Sequence, residues 1–195
     1  MDTAPPAPRR ILVAGVSGVG KTTLCREIAQ RSGIPHTEID ALFHGPGWTP
    51  RPEFMADVER LAALDTWVTE WQYDAARPLL ADRADILVWL DLPFWTVTFP
   101  RVVRRTVQRR LRREELWNGN REAPLRSILT DPEHIIRWAV TTRNGYRERI
   151  AALAATAPHV RVVRLRRRRE ASWWVAATWP GHQETGGAHS VIHGV

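Results

Sequence analysis

Short apolar runs alternate with amphipathic stretches along this chain. Arg10-Ile11-Leu12-Val13-Ala14 is an unbroken, largely apolar run ending at Gly15, the pattern of a strand buried on both faces of a parallel sheet. Beyond the next glycines, Leu24, Ile28 and Ala29 recur at helical spacing with Arg26, Glu27, Gln30 and Arg31 opposite them, until Gly33-Ile34-Pro35 ends the helix. Further strands are predicted over 36–40, 67–71, 86–91 and 160–165, and helices over 53–64, 74–83, 95–113 and 133–155, the last broken near Asn144-Gly145. A loop rich in Gly and Pro fills 43–52. Strands alternating with helices predict an α/β fold with five parallel strands joined by right-handed crossovers.

A chain of 195 residues suits one domain with one active site. The ordered unit is expected over 10–179. Residues 1–9 read as a disordered leader, because they lack the apolar stretch of a secretory signal, and 180–195 as a disordered tail. No apolar run approaches the roughly 18 residues of a membrane span, so a cytoplasmic protein with no membrane contact is expected. The tail histidines His182, His189 and His193 have spacings that suit no compact metal site. Cys25, the only cysteine, is expected to be a packed thiol, and no internal disulfide can form.

The formal charge of +7 changes the picture less than its make-up. Lys21 is the sole lysine, and every other basic residue is arginine except the histidines. A compact ammonium retained at one place marks a site where a guanidinium fork would not serve.

That place is Gly15-Val16-Ser17-Gly18-Val19-Gly20-Lys21-Thr22, a P-loop set between strand and helix. Gly15, Gly18 and Gly20 let the backbone bend so that successive N–H groups converge on a phosphate, and the helix beginning near Lys21 adds its N-terminal positive pole. Lys21 can reach the β- and γ-phosphates and Thr22 can ligate Mg²⁺, while Thr23 continues into the helix and completes the nucleotide-binding run. Three carboxylates are predicted at strand ends, where an open α/β sheet forms its ligand crevice: Asp40, Glu70 and Asp91. Glu70 is the candidate metal partner of Thr22. Asp91, followed by Pro93, also suits a plain turn. Arg101, Arg104, Arg105, Arg109 and Arg112 share one helix face that can neutralise charge during phosphoryl transfer. Nucleic-acid phosphate contacts are the other use for such a face and for the Arg164–Arg169 cluster, but no nucleic-acid-binding motif accompanies them.

Together the P-loop, His36-Thr37-Glu38-Ile39-Asp40-Ala41-Leu42-Phe43-His44-Gly45-Pro46-Gly47, Trp67-Val68-Thr69-Glu70, the strand ending at Pro93 and Glu115-Leu116-Trp117-Asn118-Gly119-Asn120-Arg121-Glu122 resemble one group. The chain is similar, over roughly residues 10–170, to the adenylate-kinase-like P-loop proteins often labelled DNA topology modulation proteins, relatives of nucleoside-monophosphate kinases. The resemblance implies a three-layer P-loop NTPase sandwich with a five-stranded sheet, a lid over about 101–124, and transfer of the ATP γ-phosphoryl group to a nucleotide or other small acceptor. It implies that Asp40 faces the acceptor and that Arg109, Arg113 and Arg121 belong to the lid. Where relatives carry Asp-Gly-Asn-Tyr, this chain has Glu70-Trp71-Gln72-Tyr73, which sets an indole where backbone would approach the acceptor. Trp173-Trp174 likewise departs from the charged helix expected near the C-terminus. The function expected is an ATP- and Mg²⁺-dependent small-molecule kinase. The alternative is a nucleotide-binding regulatory NTPase that acts through a protein or DNA partner.

Overall fold

The computed structural model describes residues 6–112, 115–120 and 135–180. Four strands, β1 (Arg10–Ala14), β2 (Trp67–Glu70), β3 (Ile86–Leu90) and β4 (Arg161–Leu165), form one sheet in the order β2-β1-β3-β4. All neighbouring pairs are parallel. β1, β2 and β3 are buried along nearly their whole length, as their apolar runs require, whereas β4 carries exposed arginines at the sheet edge.

The helices are α1 (Lys21–Ser32), α2 (Ile39–Phe43), α3 (Phe54–Ala63), α4 (Ala76–Arg83), α5 (Phe99–Arg112), α6 (Ile135–Thr141), α7 (Gly145–Thr156) and α8 (Arg168–Thr178). The chain crosses the sheet in one direction from β1 to β2 and in the other from β2 to β3. Right-handed crossovers therefore put α1 and α4 on opposite faces. The break expected near Asn144-Gly145 is the junction of α6 and α7. α5 starts later than expected because a π-helical turn, Phe94–Thr98, precedes it. Arg9 is already tied to the fold by its N–H, which donates to Asp85, so the ordered chain begins before Arg10.

The strand expected over 36–40 does not form, and among the described residues the sheet has four strands, not five. Only His36 bridges Val68, with Thr37 N–H donating to the Val68 carbonyl and Val68 N–H to that of Pro35. Pro35 has no N–H to extend the ladder. At the other end the Ile39 N–H is taken by the Glu70 side chain, and the chain turns into α2. Asp40 thus sits in the first turn of a short helix and not at a strand end. α8 forms where the tryptophan pair stands, with Trp174 buried and Trp173 exposed. Its start is fixed by Glu170, whose carboxylate accepts from the N–H groups of Arg166 and Arg167.

Candidate active site

The P-loop joins the C-terminal end of β1, between β2 and β3, to the start of α1. The strand order reverses there, and such sheets hold their ligands at that point. Gly18 has φ +76° and Gly20 φ +113°, left-handed values that keep the loop curled. The first-turn N–H groups of α1 have no intrahelical partner and face the concavity. Lys21 is buried, and its ammonium meets only the Val16 carbonyl, at 3.4 Å. Among the described residues no carboxylate lies within ion-pair distance of it. An ammonium taken from water with so weak a partner suits an anionic ligand.

The second wall of the loop comes from α5. Arg101 donates from Nη1 to the Val19 carbonyl at 3.0 Å, its guanidinium lies over Gly20, and the Val102 side chain fills the space above Gly18. Burial and the neighbouring Arg168 guanidinium lower the Arg101 pKa from its usual value. Arg101 and Arg168, with Val19, Gly20, Thr23 and Leu24, line a cavity of about 320 Å³ beside the loop. Both its position and its charge fit a nucleotide. Of the five arginines expected on one face of α5, Arg101 is therefore the one at the loop. Arg109 lies about 12 Å farther along the helix, and Arg113 and Arg121 lie outside the described residues.

The three candidate carboxylates have separate surroundings. Asp91 is held by Arg164, which also stacks over Trp89, so it serves the sheet edge. Asp40 accepts hydrogen bonds from Gln72 Nε2 and from the Tyr73 hydroxyl, each 2.7 Å long and both on Oδ1. Burial and Asp40 raise the Tyr73 pKa, keeping the phenol protonated as a donor. The Tyr73 hydroxyl also stands 3.2 Å from His44 Nε2. Phe43, His44, Trp48, Tyr73 and Trp117 form a ring cluster that meets Asp40 through the Tyr73 hydroxyl, with Phe43 stacked on Tyr73 at 4.0 Å. The segment 115–120 closes this cluster. Asn120 donates to the Gly45 carbonyl and accepts from the Trp48 N–H, and the Trp117 indole donates to Glu38, which also pairs with Arg26.

Glu70 is buried beneath α1. Its Oε2 accepts from the Ile39 N–H, its Oε1 lies 3.4 Å from His36 Nε2, and the Thr22 hydroxyl is beside it. Burial alone would raise its carboxyl, but His36, Thr22 and the Ile39 N–H carry it below the usual carboxylate range. Cys25, fully buried as expected, adjoins the same group. Burial, with Glu70 next in weight, pushes its thiol well above the ordinary value. Trp71 does not intrude on Asp40. Its buried indole donates to the Arg77 carbonyl and lies under the Arg77 guanidinium.

The loop, Asp40 and Glu70 are singled out by the sequence, whereas the Gln72 and Tyr73 donors, the contact of Arg101 with Val19 and the Asn120 clamp are not. Gln72 and Tyr73 directly follow Glu70, so the strand-end placement of Glu70 was the available signal for them.

No family model matches the chain. A curated cytidylate kinase of Pyrococcus furiosus is 32% identical over 110 residues, covering 49% of this chain and 56% of that protein. Another of Thermococcus kodakarensis is 31% identical over 98 residues, covering 43% of this chain and 50% of that protein. The chain is similar to these two kinases over less than half of its own length. It spans about half the length of the curated relatives it matches. Among solved structures, a gluconokinase from Sinorhizobium meliloti 1021 is 22% identical with a TM-score of 0.49, covering 90% of this chain and 96% of that one. A shikimate kinase from Acinetobacter baumannii in complex with shikimate is 17% identical with a TM-score of 0.48, covering 87% and 92%. Among the described residues no helix is long and apolar enough to cross a membrane.

Proposed function

We propose that this protein is an ATP-dependent, Mg²⁺-requiring kinase that transfers the γ-phosphoryl group to a small acceptor held at Asp40. The buried Lys21 ammonium carries the reading, since it has a carbonyl at 3.4 Å where a charged partner would be expected. Lys21 and the loop amides hold the phosphates, and Arg101 and Arg168 add positive charge from the side. Thr22 is the protein's Mg²⁺ ligand, and Glu70 orients its hydroxyl. Mg²⁺ supplies neutralisation of the β- and γ-phosphate charge.

On the acceptor side, both hydrogen bonds to Asp40 fall on Oδ1, which leaves Oδ2 to orient an attacking hydroxyl and take its proton. The acceptor oxygen then bonds to the γ-phosphorus as the bond to the β-bridging oxygen breaks, and ADP leaves. A carboxylate attracts a hydroxyl and repels a phosphate, so Asp40 supports a hydroxyl-bearing acceptor. The rings of His44, Trp48 and Trp117 support one with a flat or apolar face. The lid role of Arg109, Arg113 and Arg121 belongs to the same proposal.

The test is ADP release from Mg-ATP across nucleosides, nucleoside monophosphates, sugars and small acids. Stimulation by one hydroxyl-bearing class is expected. Stimulation by cytidine monophosphate alone would follow the relatives and overturn the role given to Asp40. Release indifferent to every acceptor would overturn the kinase reading in favour of a regulatory NTPase.

A further inference from the structure

Three elements bring metal-ligating side chains to one buried point under the P-loop helix. Cys25 comes from the second turn of α1, His36 from the segment paired with β2, and Glu70 from the end of β2. One ligand atom from each lies within 4.8 Å of the other two. The side chains of His36 and Glu70 are only 9% and 4% exposed. His36 Nε2 and Glu70 Oε1 are both buried and face each other at 3.4 Å, a long contact that is not a well-formed hydrogen bond. Buried polar atoms are ordinarily well satisfied, so two that meet only through this loose contact beside a thiol leave room for a shared ligand.

We propose that Cys25, His36 and Glu70 bind a single Zn²⁺ ion, a site separate from the magnesium that accompanies a nucleotide. The donor set of thiolate, imidazole and carboxylate suits zinc and not the hard, all-oxygen preference of Mg²⁺ or Ca²⁺. Charge supports the assignment: one thiolate, one carboxylate and a dication sum to zero, which is what a buried site tolerates. Binding releases the thiol proton to solvent and gives His36 Nε2 and Glu70 Oε1 a close shared partner. Glu70 Oε2 keeps its bond from the Ile39 N–H, so the ion would link α1, which carries Lys21 and Thr22, to the start of α2, which carries Asp40. It would thereby fix the spacing between the phosphate loop and the acceptor carboxylate. The inference does not depend on the kinase reading.

The experiment strips the untagged full chain with a chelator and titrates it with Co²⁺ in excess Mg²⁺, without nucleotide. Because Cys25 is the only cysteine, a thiolate-to-cobalt charge-transfer band in the near ultraviolet can arise from that residue alone. The proposal expects such a band saturating at one equivalent and erased by Zn²⁺. It expects loss of the band in Cys25→Ser with Mg-ATP binding retained. In His36→Gln it expects cobalt binding weaker by at least about tenfold, the least that losing even an outer partner costs. A wild-type cobalt spectrum without the band, or a band that survives Cys25→Ser, would overturn it. The wild-type titration needs no variant, so it decides the matter even if Cys25→Ser fails to fold.

Discussion

Arg101 reaches from α5 to the carbonyl of Val19, 3.0 Å away, and so holds a cationic helix against the phosphate loop. The contact sets α5 against the P-loop, where the proposed nucleotide site lies. Arg101→Met is expected to weaken Mg-ATP binding by about five- to tenfold, on the order of 1 kcal/mol for a half-exposed, charge-assisted hydrogen bond. Calorimetric titration checks this, and Arg101→Lys should fall between the two, since an ammonium keeps the charge but not the planar fork. Unchanged binding in Arg101→Met would remove α5 from the site.

Gly18→Ala should be severe. Its φ of +76° costs about 1–2 kcal/mol for a residue with a Cβ, and the added carbon would stand 2.1 Å from Val102 Cγ2. A fall in Tm of about 5 °C or more is expected for a chain of this size. Adding Val102→Ala should recover the part due to the clash but not the backbone part. Thermal unfolding of the single and double variants separates the two terms.

Asn120→Ala removes the bond to the Gly45 carbonyl and the one accepted from the Trp48 N–H. The expected cost is about 2 kcal/mol, concentrated in the 44–49 loop. Amide exchange at Trp48 should speed up and the acceptor KM should rise, while Mg-ATP binding stays the same. An equal loss of ATP binding would mean that the clamp supports the whole fold rather than the acceptor side.

Burial lowers the His44 pKa below 6.5, against the opposing pull of Asp40. Over the interval between the folded value and 6.5, the unfolded chain binds the extra proton and the folded chain does not. Stability from this residue is therefore lost as pH falls through 6.5 toward the folded value, and regained as pH rises. Denaturant titrations between about pH 7.5 and 5.5 should show a steeper loss in the wild type than in His44→Gln. Parallel losses would place the imidazole in solvent.

The parts legible in the sequence are those set by local pattern. The run before Gly15, the glycine spacing, the helix stop at Gly33 and the break at Asn144-Gly145 each depend on a few adjacent residues, and each stands where expected. The strand over 36–40 failed because its fate was decided 30 residues away, where the Glu70 carboxylate competes for the Ile39 N–H. The arginine face of α5 was readable as a face. Which arginine meets the loop depends on how α5 packs, and Val102 against Gly18 decides that in favour of Arg101. Trp71 looked like an obstruction from its place beside Glu70, but the strand turns its indole toward Arg77. Asp40 was picked out as a carboxylate, yet its donors Gln72 and Tyr73 stand beyond the end of β2, and only the strand-end placement of Glu70 pointed to them.

Kinase activity is read most directly by following label from γ-labelled Mg-ATP to an acceptor with the wild type, Lys21→Ala and Asp40→Asn. Label is expected in one acceptor class with the wild type, none above blank with Lys21→Ala, and a fall of about 10²–10⁴ in rate with Asp40→Asn at little changed ATP affinity. Undiminished transfer by Lys21→Ala, or label passing to water whatever acceptor is present, would contradict the kinase reading.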